Sequence, residues 1–167
     1  MTQGLQAKVQ RRRKQLARIP GVLADNDRLA NEVIHPYLLR HARLQFESSG
    51  AHGGRPWDPY TGEPRYRAMI LAARGDLRVL RGRPGDEPLM ESFVNPSHPN
   101  HRFSVDQGAV RFGSSLPFVG RIESGGQNQY GEVARPRPIM TMTDAQRDEL
   151  SRLVGLYKQA QVEAVMP

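Results

Sequence analysis

The chain has 167 residues, with 24 lysines and arginines against 17 aspartates and glutamates for a net charge of +7, and it contains no cysteine. Disulfides, thiolate metal sites and thiol catalysis are therefore excluded. No apolar run approaches the ~18 residues of a membrane-spanning helix, and no apolar stretch follows the basic N-terminus, so no signal peptide is expected. Apolar residues make up 38%, and 16 Gly and 13 Pro claim much of the rest for loop or arm. One small-cored domain with an appended arm fits these figures. Most of the cations are arginines, whose planar fork suits carboxylates, phosphates and aromatic faces.

Residues 1–21 read as a basic N-terminal arm. Within it, 2–19 predict a short helix, with Leu5, Val9 and Leu16 near one stripe and Pro20-Gly21 as its stop. Arg11, Arg12, Arg13 and Lys14 are grouped between the apolar positions. The cluster reads either as a contact for nucleic acid or an acidic neighbour, or as a solvated face of the arm.

Residues 22–167 read as a single α+β domain. A helix is predicted over 25–47, capped by Asp25 or Asn26, with Leu29, Val33, Tyr37, His41 and Leu44 as its apolar stripe. Pro36 removes a backbone donor in mid-helix and predicts a kink or a split there. Ser48-Ser49-Gly50 ends the segment and opens a Gly/Pro-rich loop over 48–64. Trp57, the sole tryptophan, stands in that loop between Pro56 and Asp58. It reads as an anchor folded back over the core, with a partner hot spot as the alternative.

A short helix is predicted over 65–74, and 77–80 reads as a strand or as its continuation. A second turn-rich loop covers 81–88. Leu89–Val94 reads as a short helix or strand. Phe103 and Val105 alternate with polar neighbours, and Ala109, Val110 and Phe112 follow a Gln107-Gly108 turn, which predicts a hairpin. Leu116–Glu123 predicts a helical turn or two with Phe118, Val119 and Ile122 facing in. A flexible loop is expected over 124–129. Ala134-Arg135-Pro136-Arg137-Pro138 must be extended, because each proline biases its predecessor away from the α region. The clearest helix is 144–164: Thr143 and Gln146 form a capping box, and Leu150, Leu153, Val154, Tyr157 and Gln161 make a stripe expected to be core.

Catalytic motifs are missing. There is no Walker loop and no dinucleotide glycine fingerprint. His98 and His101 lie in a Pro- and Asn-rich stretch read as loop, with no local carboxylates to complete a metal site. No catalytic residue, metal or cofactor is assigned, and the chain is expected not to be an enzyme.

Five local pieces, in order, carry a resemblance. Phe46 precedes a Gly-rich loop leading through Gly53-Gly54-Arg55-Pro56 to Trp57. Leu89 and Ser92 follow in Leu-Met-Glu-Ser-Phe-Val. Next come Val110-Arg-Phe-Gly-Ser114 and Phe118-Val-Gly-Arg-Ile-Glu-Ser-Gly125. Last, Val133-Ala-Arg-Pro-Arg-Pro138 precedes Thr143 and the final helix. This series resembles the phage virion-morphogenesis, or tail-completion, family. It departs from the family at Arg137, where an aromatic is usual, and in the long Asp76–Pro88 loop.

The resemblance implies an α+β fold, a small antiparallel sheet packed by helices. It implies a virion protein of the phage neck or tail top, assembled in the host cytoplasm. Such a subunit would form a ring, hexameric by resemblance, between the head connector or stopper and the tail tube. Partners would be further copies of the chain and those neighbours, with DNA in the lumen as a non-specific contact and no membrane. Arg135, Pro136 and Arg137 join Trp57 and the Arg11–Lys14 cluster as interface or structural candidates. Arg135 is expected to pair with a carboxylate or carbonyls beside the sheet, since an arginine between an apolar residue and proline has little freedom. The alternative is a basic DNA-contacting packaging or nucleoid accessory protein.

Overall fold

The computed structural model describes residues 3–57, 68, 71–72, 89–106, 109–127, 133–134 and 136–166. The fold is α+β: helices packed around a two-stranded antiparallel sheet. The loop expected at 81–88, the segment 77–80, the Gln107-Gly108 turn and Arg135 lie outside the described residues. Of the short helix expected over 65–74, Ala68, Leu71 and Ala72 are described, and they are helical.

Helix α1 spans Gln3–Leu16 and α2 spans Ile19–Ala24. Pro20 does not stop a helix, as expected, but starts one. It occupies the first turn of α2, where its missing N–H is not needed and its fixed φ is already helical. The break falls earlier, at Ala17 and Arg18.

Helix α3, Asn26–Leu29, is capped by Asp25, whose side chain accepts from the Arg28 N–H at 3.0 Å. A π-helical turn, Ala30–Ile34, then leads into α4, His35–Glu47. Pro36 is the cause. It cannot donate to the carbonyl four residues back, and its ring needs room there. The widened turn supplies that room, and the His35 N–H reaches the Ala30 carbonyl instead. The extra residue also rotates the buried face. After Leu29 and Ala30 the buried residues are Leu38, His41, Ala42, Gln45 and Phe46, whereas Val33, Tyr37 and Leu44 of the expected stripe are only half-buried.

Helix α4 ends in a tight reversal. The Gly50 N–H donates to the Gln45 carbonyl at 2.8 Å and the Ser49 N–H to the Phe46 carbonyl at 3.3 Å. This double closure is a Schellman turn. Ser49 takes the left-handed position at φ 50° and Gly50 follows at φ 87°. The chain then runs through a 3-10 turn, Ala51–Gly53, and back to Trp57.

Helix α5 spans Leu89–Val94. Strands β1, His101–Asp106, and β2, Ala109–Ser114, form the hairpin, with Phe103 opposite Phe112 and Val105 opposite Val110. His101 is the first residue of β1, not part of a loop. A two-stranded ribbon is marginal alone, and this one packs against α5. Helix α6 spans Val119–Ser124. Val119 is buried and Ile122 packs against the core, but Phe118 is 45% exposed rather than inward-facing. It stands one residue before the helix, where it does not share the inward face. A second, minimal ribbon pairs β3, Gly126–Gln127, with β4, Val133–Ala134, where the sequence predicted loop at 126–127.

Helix α7, Asp144–Val165, carries the expected capping box: Gln146 N–H to Thr143 Oγ1 at 3.3 Å and Thr143 N–H to Gln146 Oε1 at 2.9 Å. Its stripe is not core, however, because none of its residues is buried. Among the described elements the helix lies mainly against the short α2 and the π-helical turn. The core joins Ala42 and Phe46 of α4, Trp57, Leu89, Phe93 and Val94 of α5, Val119 of α6, and Ile139.

The reversal after α4 is sterically exacting. A Cβ on Gly50 would lie 2.6 Å from the Arg55 carbonyl oxygen and 2.6 Å from Trp57 Cδ1, at a positive φ. Gly50→Ala is expected to destabilise the protein by about 3 kcal/mol. Gly21→Ala, with nothing within 4 Å of its Cβ, should change stability by no more than about 1 kcal/mol, in the favourable direction. Urea unfolding followed by far-UV circular dichroism compares the two, and equal midpoints would remove the claim.

Candidate functional site

The α4 reversal brings Trp57 onto the last third of the chain. The indole is 5% exposed, meets Phe46 edge-on with centroids 5.6 Å apart, and donates from Nε1 to the Pro138 carbonyl at 3.2 Å. Its backbone N–H donates to the Ser49 carbonyl at 2.7 Å. Trp57 thus ties the reversal to the Pro136–Thr143 segment and is an internal anchor of this chain. Pro136 is exposed. Arg137 is half-buried. Its N–H donates to the Ile122 carbonyl at 2.8 Å, while its Nε, buried, finds no hydrogen-bond partner among the described residues. The Arg11, Arg12, Arg13 and Lys14 side chains are all exposed on α1. No hydrogen bond between described residues links them to Trp57 or Arg137.

A histidine network, invisible along the sequence, runs beside the Trp57 joint. His41 is buried, and its Nε2 lies 2.9 Å from the Thr141 carbonyl. A carbonyl only accepts, so Nε2 carries the proton. His52 receives the Gln146 amide at Nε2, 3.0 Å, and at its carbonyl, 2.7 Å. Gln146 therefore serves two purposes, capping α7 through its oxygen and holding His52 through its nitrogen. Tyr37 Oη donates to the Gln146 carbonyl at 2.9 Å. Gln45 Oε1 accepts the Gly53 N–H at 2.6 Å. The polar side of α4 in this way grips the start of α7 and the 3-10 turn.

A second clasp joins α4 to the hairpin. His35 Nε2 and His101 Nε2 are 3.0 Å apart, and the 5.2 Å centroid separation is that of rings meeting nearly nitrogen to nitrogen. His101 Nδ1 donates to the Ser92 carbonyl at 3.1 Å, which leaves its Nε2 bare. His35 supplies the single shared proton. The His35 ring also stacks on Phe103 with centroids 3.9 Å apart. A second proton between the nitrogens would set two N–H groups and two like charges face to face.

These contacts hold α4 to the start of α7, the 3-10 turn and the hairpin. Among the described residues no group of three His, Asp or Glu side chains has metal-binding geometry. The recess between Tyr37, Arg40, His41, Leu44, His52, Gln146 and Glu149 measures about 30 Å³, far below a small-molecule site. No helix of the described residues is long and apolar enough to cross a membrane. No family model, curated protein or solved structure matches the chain.

Burial, then the neighbouring His101, lowers the pKa of His35 below its ordinary 6.5. Burial, then His52, lowers that of His41, against an opposing hydrogen bond to Thr141. A histidine that titrates lower in the folded state binds its proton more readily when unfolded. The contribution of His35 and His41 is therefore complete above about pH 6.5 and is lost as pH falls below it. The denaturant midpoint should drop between about pH 7 and about pH 5, and a double H35Q/H41Q variant should show a flatter profile. A wild-type midpoint that holds or rises over that interval contradicts the assignment.

Proposed function

We propose that the chain is a structural subunit of the neck or tail top of a tailed phage. It works by assembly rather than catalysis, closing into a ring that completes the tail and joins it to the head connector. The ordered motif series from Phe46 to Thr143 supplies the phage reading and the sixfold expectation.

One observation carries the assembly reading: the 22-residue helix α7 has no buried residue. Its apolar positions Leu150, Leu153, Val154 and Tyr157 are half-buried, and Leu156 is 49% exposed. A well-capped helix of this length with a half-covered apolar face is suited to completion by a neighbour. Ring closure needs a second, different patch on each subunit, because the contact is heterologous. Phe118 and Leu71 expose apolar surface on other elements. Burial of Trp57 fits the same reading, since it leaves the reversal after α4 rigid.

The native mass of the purified full chain, alone and mixed with the connector and tail-tube proteins of the same particle, tests the proposal. A closed multimer, or incorporation into the connector–tube complex, is expected. A chain that stays monomeric in every mixture overturns it. Leu156→Asp should leave the unfolding free energy within about 0.5 kcal/mol of wild type and abolish the multimer. A variant that assembles normally would remove α7 from the interface.

A further inference from the structure

None of the described side chains of the first helix belongs to the clasps or the core. Of its described side chains, Gln15 is half-buried and all others are exposed. The 14-residue helix α1, Gln-Gly-Leu-Gln-Ala-Lys-Val-Gln-Arg-Arg-Arg-Lys-Gln-Leu, holds five cations and no acidic residue. Lys8 stands three and four residues before Arg11 and Arg12, and Arg11 three before Lys14. Like charges at those spacings repel along a helix. A helix this short is borderline without packing. Its charge pattern therefore opposes its own conformation until anions neutralise it.

The placement of the charges narrows the partner. Four consecutive residues, Arg11 to Lys14, are spread over roughly 300° of the helix circumference. An acidic protein surface meets one side of a helix and would leave most of this charge unused. The major groove of duplex DNA, about 12 Å wide, takes a whole α-helix and lines it with phosphates along both walls. Arginine forks suit phosphate oxygens. We infer that α1 is a duplex-DNA-binding arm, seated in the major groove with Lys8, Arg11, Arg12, Arg13 and Lys14 on phosphates of both walls and gaining helix as it binds. The contact is independent of base sequence, because it goes to the backbone. It rests on α1 alone and not on the ring reading.

The test uses the full chain and labelled duplex of random sequence, read by anisotropy over a salt series. Five phosphate contacts predict a slope of log affinity against log salt of about −4.5. The R11Q/R12Q/R13Q/K14Q variant should lose at least about tenfold in affinity and reduce the slope to about −1. Its unfolding midpoint should be unchanged, because these side chains are exposed. The R11K/R12K/R13K variant keeps the charges and should keep most of the binding. Far-UV circular dichroism should show helix gained on adding DNA. Polyglutamate and phosphatidylserine vesicles serve as competing polyanions. Either one binding as tightly as duplex with the same dependence on Arg11–Lys14, a quadruple variant that binds normally, or no gain in helix overturns the inference. Leu156→Asp should leave DNA binding intact, so failure of the ring and failure of the arm are read separately.

Discussion

The fold turns on the way α4 ends. A helix whose last carbonyls stayed open to water would release the chain outward, and Trp57 would face solvent with the loop. The paired closures onto Gln45 and Phe46 instead fold the backbone through two left-handed residues. That reversal sets the indole edge-on against Phe46, in the same helix the chain has just left. From there Nε1 reaches Pro138, which brings Ile139 into the core and places Thr141 under His41. A single conformational choice at Ser49 and Gly50 thereby links α4 to a segment about ninety residues later. The close approach of Trp57 leaves no room for a Cβ at Gly50, which gives that glycine a packing reason as well as a conformational one.

Helix α4 also divides its labour between its two sides. Ala42 and Phe46 build the apolar core with α5, while Tyr37, His41 and Gln45 present polar groups to α7 and the 3-10 turn. Buried polar groups confer geometry more than stability, since each must find its partner or bear the loss of water. Backbone carbonyls at Thr141 and Gln146 meet two of these demands, and the Gly53 N–H a third. The start of α7 is fixed in direction by hydrogen bonds, and its remaining length projects with only partial cover. Rigid placement at one end and an incompletely covered face beyond it are properties expected of an assembly element.

Local signals were legible in the sequence. The hairpin followed from alternation at Phe103 and Val105, and the α7 start from Thr143 and Gln146, because both depend on neighbours a few residues away. Pro36 announced a disturbance but not its form; the π-helical turn shifted the buried face and moved Leu44 and Tyr37 toward its margin. The stripe on α7 was misread because periodicity reports that one face is apolar, not what lies against it. The His35–His101 and His52–Gln146 contacts span 66 and 94 residues, and nothing in a one-dimensional pattern joins such positions. Pro20 was misjudged for a different reason, as proline is a poor interior residue but a good first-turn residue, and only the location of the preceding break decides between them.

Because Trp57 is the only tryptophan, the protein has one dominant near-ultraviolet emitter, and it sits at the joint between α4 and the Pro138 segment. Its emission wavelength and quantum yield respond to the water, carbonyl and aromatic ring beside it. Intrinsic fluorescence of this protein is consequently a local gauge of one joint. Fraying of α1, or the docking of a neighbour along the far turns of α7, would leave it silent, whereas opening of the reversal after α4 would shift the emission to the red before the helices melt.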